Sequence, residues 1–242
     1  MPNCGIWVNS SSATAMRQGG SRGYIKAKFI GIVGNYAGSN ISPMPLISQP
    51  ATPDPLASMP EPVAPLTCTY NAVSFSTSNI LPGGSTYCGK IALNGNITFG
   101  PGIHYFKNAD VVSSSSVLIN SVDAMLYFDA TSKFSSASSG NVILKAPRSG
   151  EYKGIAIFGS RNASKQIIRL SGDKNFMISG TVYLPKHNFE VYGTADVTVT
   201  AQAGFMIANR FYYQGDSSLI MDSYGDPGAV PSGLALRVSL VE

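Results

Sequence analysis

The residues able to do acid–base chemistry are few in this 242-residue chain and lie far apart along it. There are 13 acidic residues and two histidines, His104 and His187. Glycoside hydrolysis needs two carboxyl groups roughly 5 to 9.5 Å apart. The sequence holds neither the Asp-Asp pair nor the Gly-His-Gly motif of pectin-degrading hydrolases. Both histidines lie beside turn residues and have no acid–base partner nearby in sequence. We therefore expect no enzyme activity and no catalytic, cofactor-binding or metal-binding residues.

Two further patterns have a structural explanation that we favour over a functional one. Asp173, Asp196 and Asp216 follow the glycines of successive repeats, and a column of carboxylates could bind Ca²⁺. Aspartate is also common in turns for backbone reasons, so we interpret these three as turn residues. The segment Gly19-Gly20-Ser21-Arg22-Gly23 fits the motif G-x-S-x-G. A nucleophile elbow needs a helix after that turn, whereas strand-like sequence follows here.

The elements that would carry these residues are short strands in a repeating pattern. From about residue 89, apolar residues two apart form a short strand, a glycine follows, and a second short strand comes next. The glycines Gly172, Gly193 and Gly215 are spaced 21 and then 22 residues apart. A fixed period of this length built only of strands is typical of a β-solenoid. We predict an all-β fold, a right-handed parallel β-helix with rungs of about 21 residues.

Three regions are predicted along the chain. Residues 1–42 read as the first strands or a cap of the solenoid, and residues 67–242 as the main β-helix with a C-terminal cap. Between them, residues 43–66 hold eight of the fifteen prolines. Because proline lacks the amide hydrogen that a central strand must donate, we interpret this segment as an extended excursion or linker.

Composition and charge narrow the class of protein. Only 12% of the residues are charged, about half the usual ~25%, and the mean hydropathy of +0.09 is too high for a disordered chain. The net charge is +4, and the densest basic group is Arg17, Arg22, Lys26 and Lys28. We interpret that group as a solvated basic face and expect no nucleic-acid binding. The sequence shows neither an apolar run long enough for a transmembrane helix nor a signal peptide.

The cysteines fit the geometry of stacked rungs. Cys68 and Cys88 are 20 residues apart, close to one rung. Adjacent strands lie ~4.8 Å apart, so equivalent positions on neighbouring rungs are within disulfide reach. We favour a disulfide over two buried free thiols. Cys4 would then pair outside this chain or stay free.

Two surface features leave a binding function open. Tyr192, Tyr212 and Tyr213 could line a sugar-binding face, although aromatic residues more often cover the core or stack between rungs. Thr198 and Thr200 share one face of a strand, but ice-binding solenoids use long threonine arrays and this is a single pair.

An ordered series of short motifs resembles the C-terminal region of TadG/TadE-like proteins of bacterial Tad (tight adherence, Flp) pilus systems. The series covers residues 4 to about 222 and consists of Cys4-Gly5-Ile6-Trp7-Val8-Asn9-Ser10-Ser11-Ser12, Pro53-Asp54-Pro55-Leu56, Leu81-Pro82-Gly83 with Tyr87-Cys88-Gly89, Leu93-Asn94-Gly95-Asn96, Phe99-Gly100-Pro101-Gly102, Ala146-Pro147-Arg148-Ser149-Gly150, Gly154-Ile155-Ala156-Ile157-Phe158 with Arg161, and Gly180-Thr181-Val182-Tyr183-Leu184-Pro185.

The resemblance implies a secreted or envelope-anchored β-helical domain of a bacterium, linked to pilus biogenesis or cell adhesion. Its expected partners are pilus or cell-envelope proteins and surface glycans. Proteins of this kind usually carry an N-terminal membrane helix, so membrane contact is expected only through an anchor absent from this chain. The resemblance gives no catalytic residues to carry over. A carbohydrate-active or glycan-binding β-helix stays as the alternative.

Overall fold

A computed structural model describes residues 5–20, 23–115, 117–137, 140–172, 176–193, 197–199, 206–215 and 219–221. Within these ranges there is no helix, and the strands stack in parallel. They form a β-solenoid of about eight turns with rungs of about 22 residues. The predicted β-solenoid is confirmed, with a rung length close to the expected one.

The N-terminal part contains six short strands that pair two by two. They are β1 (Ile6–Val8), β2 (Met16–Arg17), β3 (Ile25–Lys26), β4 (Ile30–Ile32), β5 (Tyr36–Ala37) and β6 (Ile41–Ser42). Strand β1 pairs with β4, β2 with β5 and β3 with β6, all in parallel. Met16, Ile30 and Ile32 are buried between them and form a small core of their own. Two turns of chain are therefore stacked here.

Among the described residues, seventeen strands form the main solenoid. They are β7 (Tyr70–Asn71), β8 (Ser74–Phe75), β9 (Asn79–Leu81), β10 (Thr86–Leu93), β11 (Ile97–Phe99), β12 (Gly102–Ser113), β13 (Leu118–Ser121), β14 (Ala124–Phe128), β15 (Lys133–Ser135), β16 (Asn141–Lys145), β17 (Ile155–Gly159), β18 (Ile167–Gly172), β19 (Phe176–Ser179), β20 (Thr181–Gly193), β21 (Val197–Val199), β22 (Met206–Gly215) and β23 (Leu219–Met221).

These strands make three faces around a central core. Face 1 is a seven-stranded sheet of β9, β11, β13, β16, β19, β21 and β23. Face 2 holds β7, β14 and β17 with the first halves of the long strands β10, β12, β20 and β22. Face 3 holds β8, β15 and β18 with the second halves of the same long strands. The long strands bend at the corner, which joins faces 2 and 3 into one ten-stranded sheet.

The corner between faces 2 and 3 is built from left-handed backbone. Ala72, Gly89, Asn108 and Lys165 each lie at this corner in successive or nearby rungs, with φ of 51°, 68°, 48° and 57°. A left-handed residue redirects the chain sharply, and glycine and asparagine accept that conformation most easily. Alanine and lysine accept it poorly, so Ala72 and Lys165 are two positions where the residue type does not suit the left-handed backbone.

The core is filled by like residues stacked from rung to rung. On the inner side of face 2, Tyr70, Tyr87, Phe106 and Phe128 form a ladder of nearly parallel rings, with centroids 5.3, 4.9 and 4.6 Å apart. Such offset stacking adds to the gain from burial. The register of the parallel strands places these rings opposite one another. Alternation of apolar and polar residues sends the intervening side chains to the outer surface.

Candidate functional site

The outer surface of face 2 carries a second aromatic column. Tyr105, Tyr127, Phe158 and Tyr183 follow one another in register on β12, β14, β17 and β20. Their ring centroids are 6.1, 6.0 and 4.9 Å apart. Outward side chains of a sheet normally face water, yet Phe158 and Tyr183 are fully buried here. Something must therefore cover this column.

The cover is part of the proline-rich segment, residues 53–66, which we call the strap. Leu56 and Met59 of the strap are buried, at 1% and 7% exposure, and pack against this column. The same apolar cluster includes Met125 of β14 and Ile155 of β17, two of the strands that carry the column. The strap contains no strand. It is held by its side chains and by single hydrogen bonds, as expected for a segment whose prolines cannot join a sheet.

Arg161 is the central polar anchor of the strap. It lies in the loop after β17, and its guanidinium donates from Nη2 to the Leu56 carbonyl oxygen at 2.7 Å and from Nε to the Tyr183 hydroxyl at 2.7 Å. The Arg161 backbone amide donates to Glu61 Oε2 at 3.2 Å. The guanidinium carbon also lies 5.3 Å from the centre of the Phe158 ring and 5.1 Å from that of Tyr183. A planar guanidinium suits this combination of directed donors and ring contact.

Two tyrosines of the outer column donate to carboxylates of the strap. Tyr183 donates to Asp54 Oδ2 at 2.5 Å, and Tyr127 donates to Glu61 Oε1 at 2.9 Å. Burial, and next the hydrogen bond to the carboxylate, raise the pKa of each phenol far above its usual value. Both tyrosines therefore stay protonated and act as donors at any physiological pH.

The far end of the strap is fixed by a lysine and by the disulfide. Lys107 Nζ donates to the carbonyl oxygens of Pro65 at 3.2 Å and Leu66 at 3.0 Å. Cys68 comes two residues after Leu66 and forms a disulfide with Cys88 of β10, with a Cα–Cα distance of 5.9 Å. The disulfide predicted from the rung spacing is confirmed. Cys4 lies outside the described residues.

The hydrogen bonds of this site attach the strap to the solenoid. Both carboxylates, Asp54 and Glu61, belong to the strap itself and accept hydrogen bonds from tyrosines beneath it. A substrate could reach the aromatic column only if the strap left, and the carboxylates would leave with it. The arrangement therefore fixes one segment of the chain onto the solenoid.

His104 is a core residue with both ring nitrogens engaged. The Gly100 carbonyl oxygen can only accept, so His104 Nε2 carries the proton and donates to it at 2.8 Å. Nδ1 then accepts from the Tyr87 hydroxyl at 3.0 Å. The side chain is fully buried, and this burial lowers its pKa. His104 is therefore a neutral structural residue.

His187 fills a gap in the core wall. In the inner ladder the residue paired with Phe128 is Gly159, and a Cβ there would lie 2.5 Å from His187 Nδ1. His187 Nε2 lies 3.3 Å from the carbonyl oxygen of Asp129. Burial lowers the pKa of His187 as well. The imidazole packs where a larger ladder residue would otherwise stand.

The remaining candidate residues divide into two groups. Tyr192 and Tyr212 lie on the outer side of face 3 with ring centroids 5.6 Å apart, and Tyr213 packs against the main core. The other candidates lie outside the described residues or their described side chains: Ser21, Asp173, Asp196, Asp216, Thr198 and Thr200. Within the ranges the structure describes, no group of three or more His, Cys, Asp or Glu side chains is placed to hold a metal ion.

The strap site was not predicted from the sequence as a site. Its partners, however, fall in three of the motifs that carry the resemblance, namely Pro53–Leu56, Gly154–Phe158 with Arg161, and Gly180–Pro185. Motifs separated by about 100 residues thus meet at one place. The presence of these motifs in one ordered series was the only feature of the sequence that could have indicated the site.

Comparisons with family models, with curated proteins and with solved structures find no match to this chain. In the part of the chain that the structure describes, no helix has the length and apolar character needed to cross a bilayer.

Proposed function

We propose that this protein is a non-catalytic structural component that works outside the cytoplasm of a bacterium, in Tad-type pilus biogenesis or surface adhesion. The observation that carries the proposal is the strap site. Its best-placed polar groups, Arg161, Tyr127 and Tyr183 with their carboxylate partners, are used to hold the chain to itself. A rigid, laterally reinforced rod suits a load-bearing or display role.

The disulfide supports a location outside the cytoplasm. Disulfides persist in oxidising compartments such as the periplasm and the cell surface, and cytosolic reductants keep thiols reduced. The Cys68–Cys88 bond also closes the end of the strap, so the proposed compartment and the strap site are linked.

The pilus assignment rests on the motif series. Three of its motifs supply the strap and the residues that bind it, which gives a physical reason for their occurring together. Partners on this proposal are other pilus or envelope proteins, and surface glycans for an adhesive role.

The test is a deletion of the gene, complemented with the full chain. Loss of surface pili or of adherence, restored by the wild-type gene, is the expected result. Alkylation of cells before reduction should leave Cys68 and Cys88 unmodified in the envelope fraction, because both sulfurs are in the disulfide and react only after reduction. Unchanged piliation and adherence, or two free thiols in the cytosolic fraction, would contradict the proposal.

A glycan-binding β-helix is the second candidate, and one surface favours it. On the outer side of face 3, Arg169 donates to Glu190 Oε2 from both Nε and Nη2, at 2.9 and 2.7 Å. The Arg169 guanidinium lies 5.0 Å from the centre of the Tyr192 ring, which neighbours Tyr212. Aromatic rings beside fixed polar groups are suited to sugars. A glycan array with wild type and Tyr192→Ala would separate the two candidates, because the structural role needs no binding there.

A further inference from the structure

The N-terminal turns expose an unusual amount of apolar surface. Eleven large hydrophobic side chains are exposed among the described residues, and five of them fall between residues 24 and 47. These five are Tyr24 at 68%, Phe29 at 46%, Met44 at 74%, Leu46 at 60% and Ile47 at 45% exposure. A concentration of exposed apolar residues marks an interaction surface more often than scattered ones do.

The strand register brings lysines into the same surface. Along β3 and the residues after it, Ile25 and Ala27 pack on the small core, so the alternate residues Lys26 and Lys28 point outward. Lys26 is paired with Ser42 on the next turn. Met44 comes two residues after Ser42, at the same corner of the stack.

An aromatic pair continues the surface onto the next side of the stack. Gly31 lies between Trp7 and Leu46 in register, and parallel partners point to the same side of a sheet. The Trp7 ring lies over Gly31, where a Cβ would come within 2.6 Å of it. Phe29 contacts Trp7 edge-on, with ring centroids 6.2 Å apart. Trp7, Phe29 and Leu46 therefore share one outer side, which adjoins Lys28.

The charge of this part of the chain has a single sign. Residues 1–53 contain four basic residues, Arg17, Arg22, Lys26 and Lys28, and no acidic residue, because Asp54 is the first. The other 13 basic residues are balanced by the 13 acidic ones. The whole net charge of +4 thus comes from the N-terminal 53 residues. Within residues 1–53, every charged side chain that accompanies the apolar surface is therefore a cation.

This combination fits the boundary of an anionic lipid bilayer. Aromatic and aliphatic side chains enter the region between headgroups and acyl chains, and lysine stems reach back to the phosphates. A second copy of this chain fits less well, since a two-fold contact would bring like charges together. A nucleic acid would leave Met44, Leu46 and Ile47 without an apolar partner.

We propose that the corner formed by residues 24–29 and 42–47 together with Trp7, the lipid-contact corner, binds an anionic lipid surface. It gives the N-terminal turns a direct membrane contact, in addition to any anchor elsewhere. The inference rests on these residues alone and is independent of the pilus assignment.

The experiment uses the full chain and vesicles of defined composition. Co-sedimentation compares vesicles of phosphatidylglycerol and phosphatidylcholine with vesicles of phosphatidylcholine only. Trp7 is the chain's single tryptophan, so its fluorescence reports on this surface directly. We expect binding to the anionic vesicles, a blue shift, and quenching by brominated lipid.

Matched variants separate this corner from the rest of the surface. Lys26→Gln with Lys28→Gln should weaken binding about fivefold for each lysine removed, and Met44→Ser with Leu46→Ser should abolish the quenching. Ile80→Ser, at a residue 79% exposed on the main solenoid, is the apolar control, and Lys90→Gln is the charge control. All of these side chains are exposed, so the urea midpoint should stay unchanged.

Four results would overturn the proposal. One is absence of binding to anionic vesicles together with an unquenched Trp7 in the wild type. Another is equal loss of binding in the Ile80 and Lys90 controls. A third is that light scattering shows self-association which the Met44 and Leu46 change abolishes, with no vesicle binding. The fourth is binding to a labelled oligonucleotide that depends on the lysines and not on the apolar residues.

Discussion

Replacing Leu56 by alanine isolates the apolar part of the strap's attachment. Leu56 is 1% exposed and packs in a cluster with Met125, Ile155 and Phe158. Truncating a buried leucine to alanine costs about 2–5 kcal/mol, and less where the surroundings can close over the gap. The strap lies on the surface without strand pairing, so we expect the lower end, about 2–3 kcal/mol.

The substitution should lower the free energy that attaches the strap to the solenoid and should hardly change the stability of the stacked rungs. The strap can detach while the rungs keep their own hydrogen bonds and core, and local openings of this kind are common in proteins. A loss of 2–3 kcal/mol corresponds to a roughly 30- to 140-fold rise in the open population. The Met59 amide, which donates to the Leu56 carbonyl oxygen at 3.0 Å, should exchange its hydrogen faster by that factor.

Hydrogen exchange followed by mass spectrometry measures this directly. Peptides from residues 53–66 should exchange faster in Leu56→Ala, while peptides from residues 102–113 keep their protection. Val63→Ala is the matched control, because Val63 lies in the same strap and is 87% exposed. Equal acceleration in strap and rungs would show that they open as one unit and would refute the reasoning, as would unchanged exchange of the strap.

Three further predictions concern stability, each measured by urea denaturation. Replacing Cys68 and Cys88 together by alanine should destabilise the fold by about 3 kcal/mol, because the disulfide closes a loop of 20 residues. The control is the reduced wild type, which also lacks the disulfide and should unfold at the same urea concentration as the double variant. Burial lowers the pKa of His104, so protons bind the unfolded chain more readily, and stability should fall as pH drops below ~6.5. Burial lowers the pKa of His187 too and adds to that slope, so His104→Gln should remove only the His104 part of it, and an identical slope would count against the assignment. Ala72→Gly should stabilise by about 0.5–1 kcal/mol and Gly89→Ala should destabilise by about 1–2 kcal/mol, since both corners are left-handed; effects of the same sign would contradict this.

The rung architecture was accessible from the sequence because it depends on local pattern. Apolar residues two apart and glycines 21 or 22 residues apart fix both the strand period and the rung length. The same spacing placed Cys68 one rung before Cys88, which favoured the disulfide that the structure contains.

The rung length is irregular where loops are inserted, and the sequence pattern weakens there. Between β14 and β17 the paired residues Leu126 and Ile157 are 31 apart, because the loop around residues 146–154 is inserted. In the N-terminal part the paired residues are 24, 20 and 16 apart on the three sides. Because the separation between paired residues differs on each side, the sequence of this part shows no regular repeat.

By itself the sequence determined the repeat and the β-solenoid and favoured the disulfide, since each of these predictions depends on spacing along the chain. Only the tertiary structure decided where the proline-rich segment lies. Its anchors, Arg161 with Leu56 and Tyr183 with Asp54, join residues 105 and 129 positions apart. Pairing over such distances depends on how many rungs have been stacked between the partners, and no local pattern encodes that number.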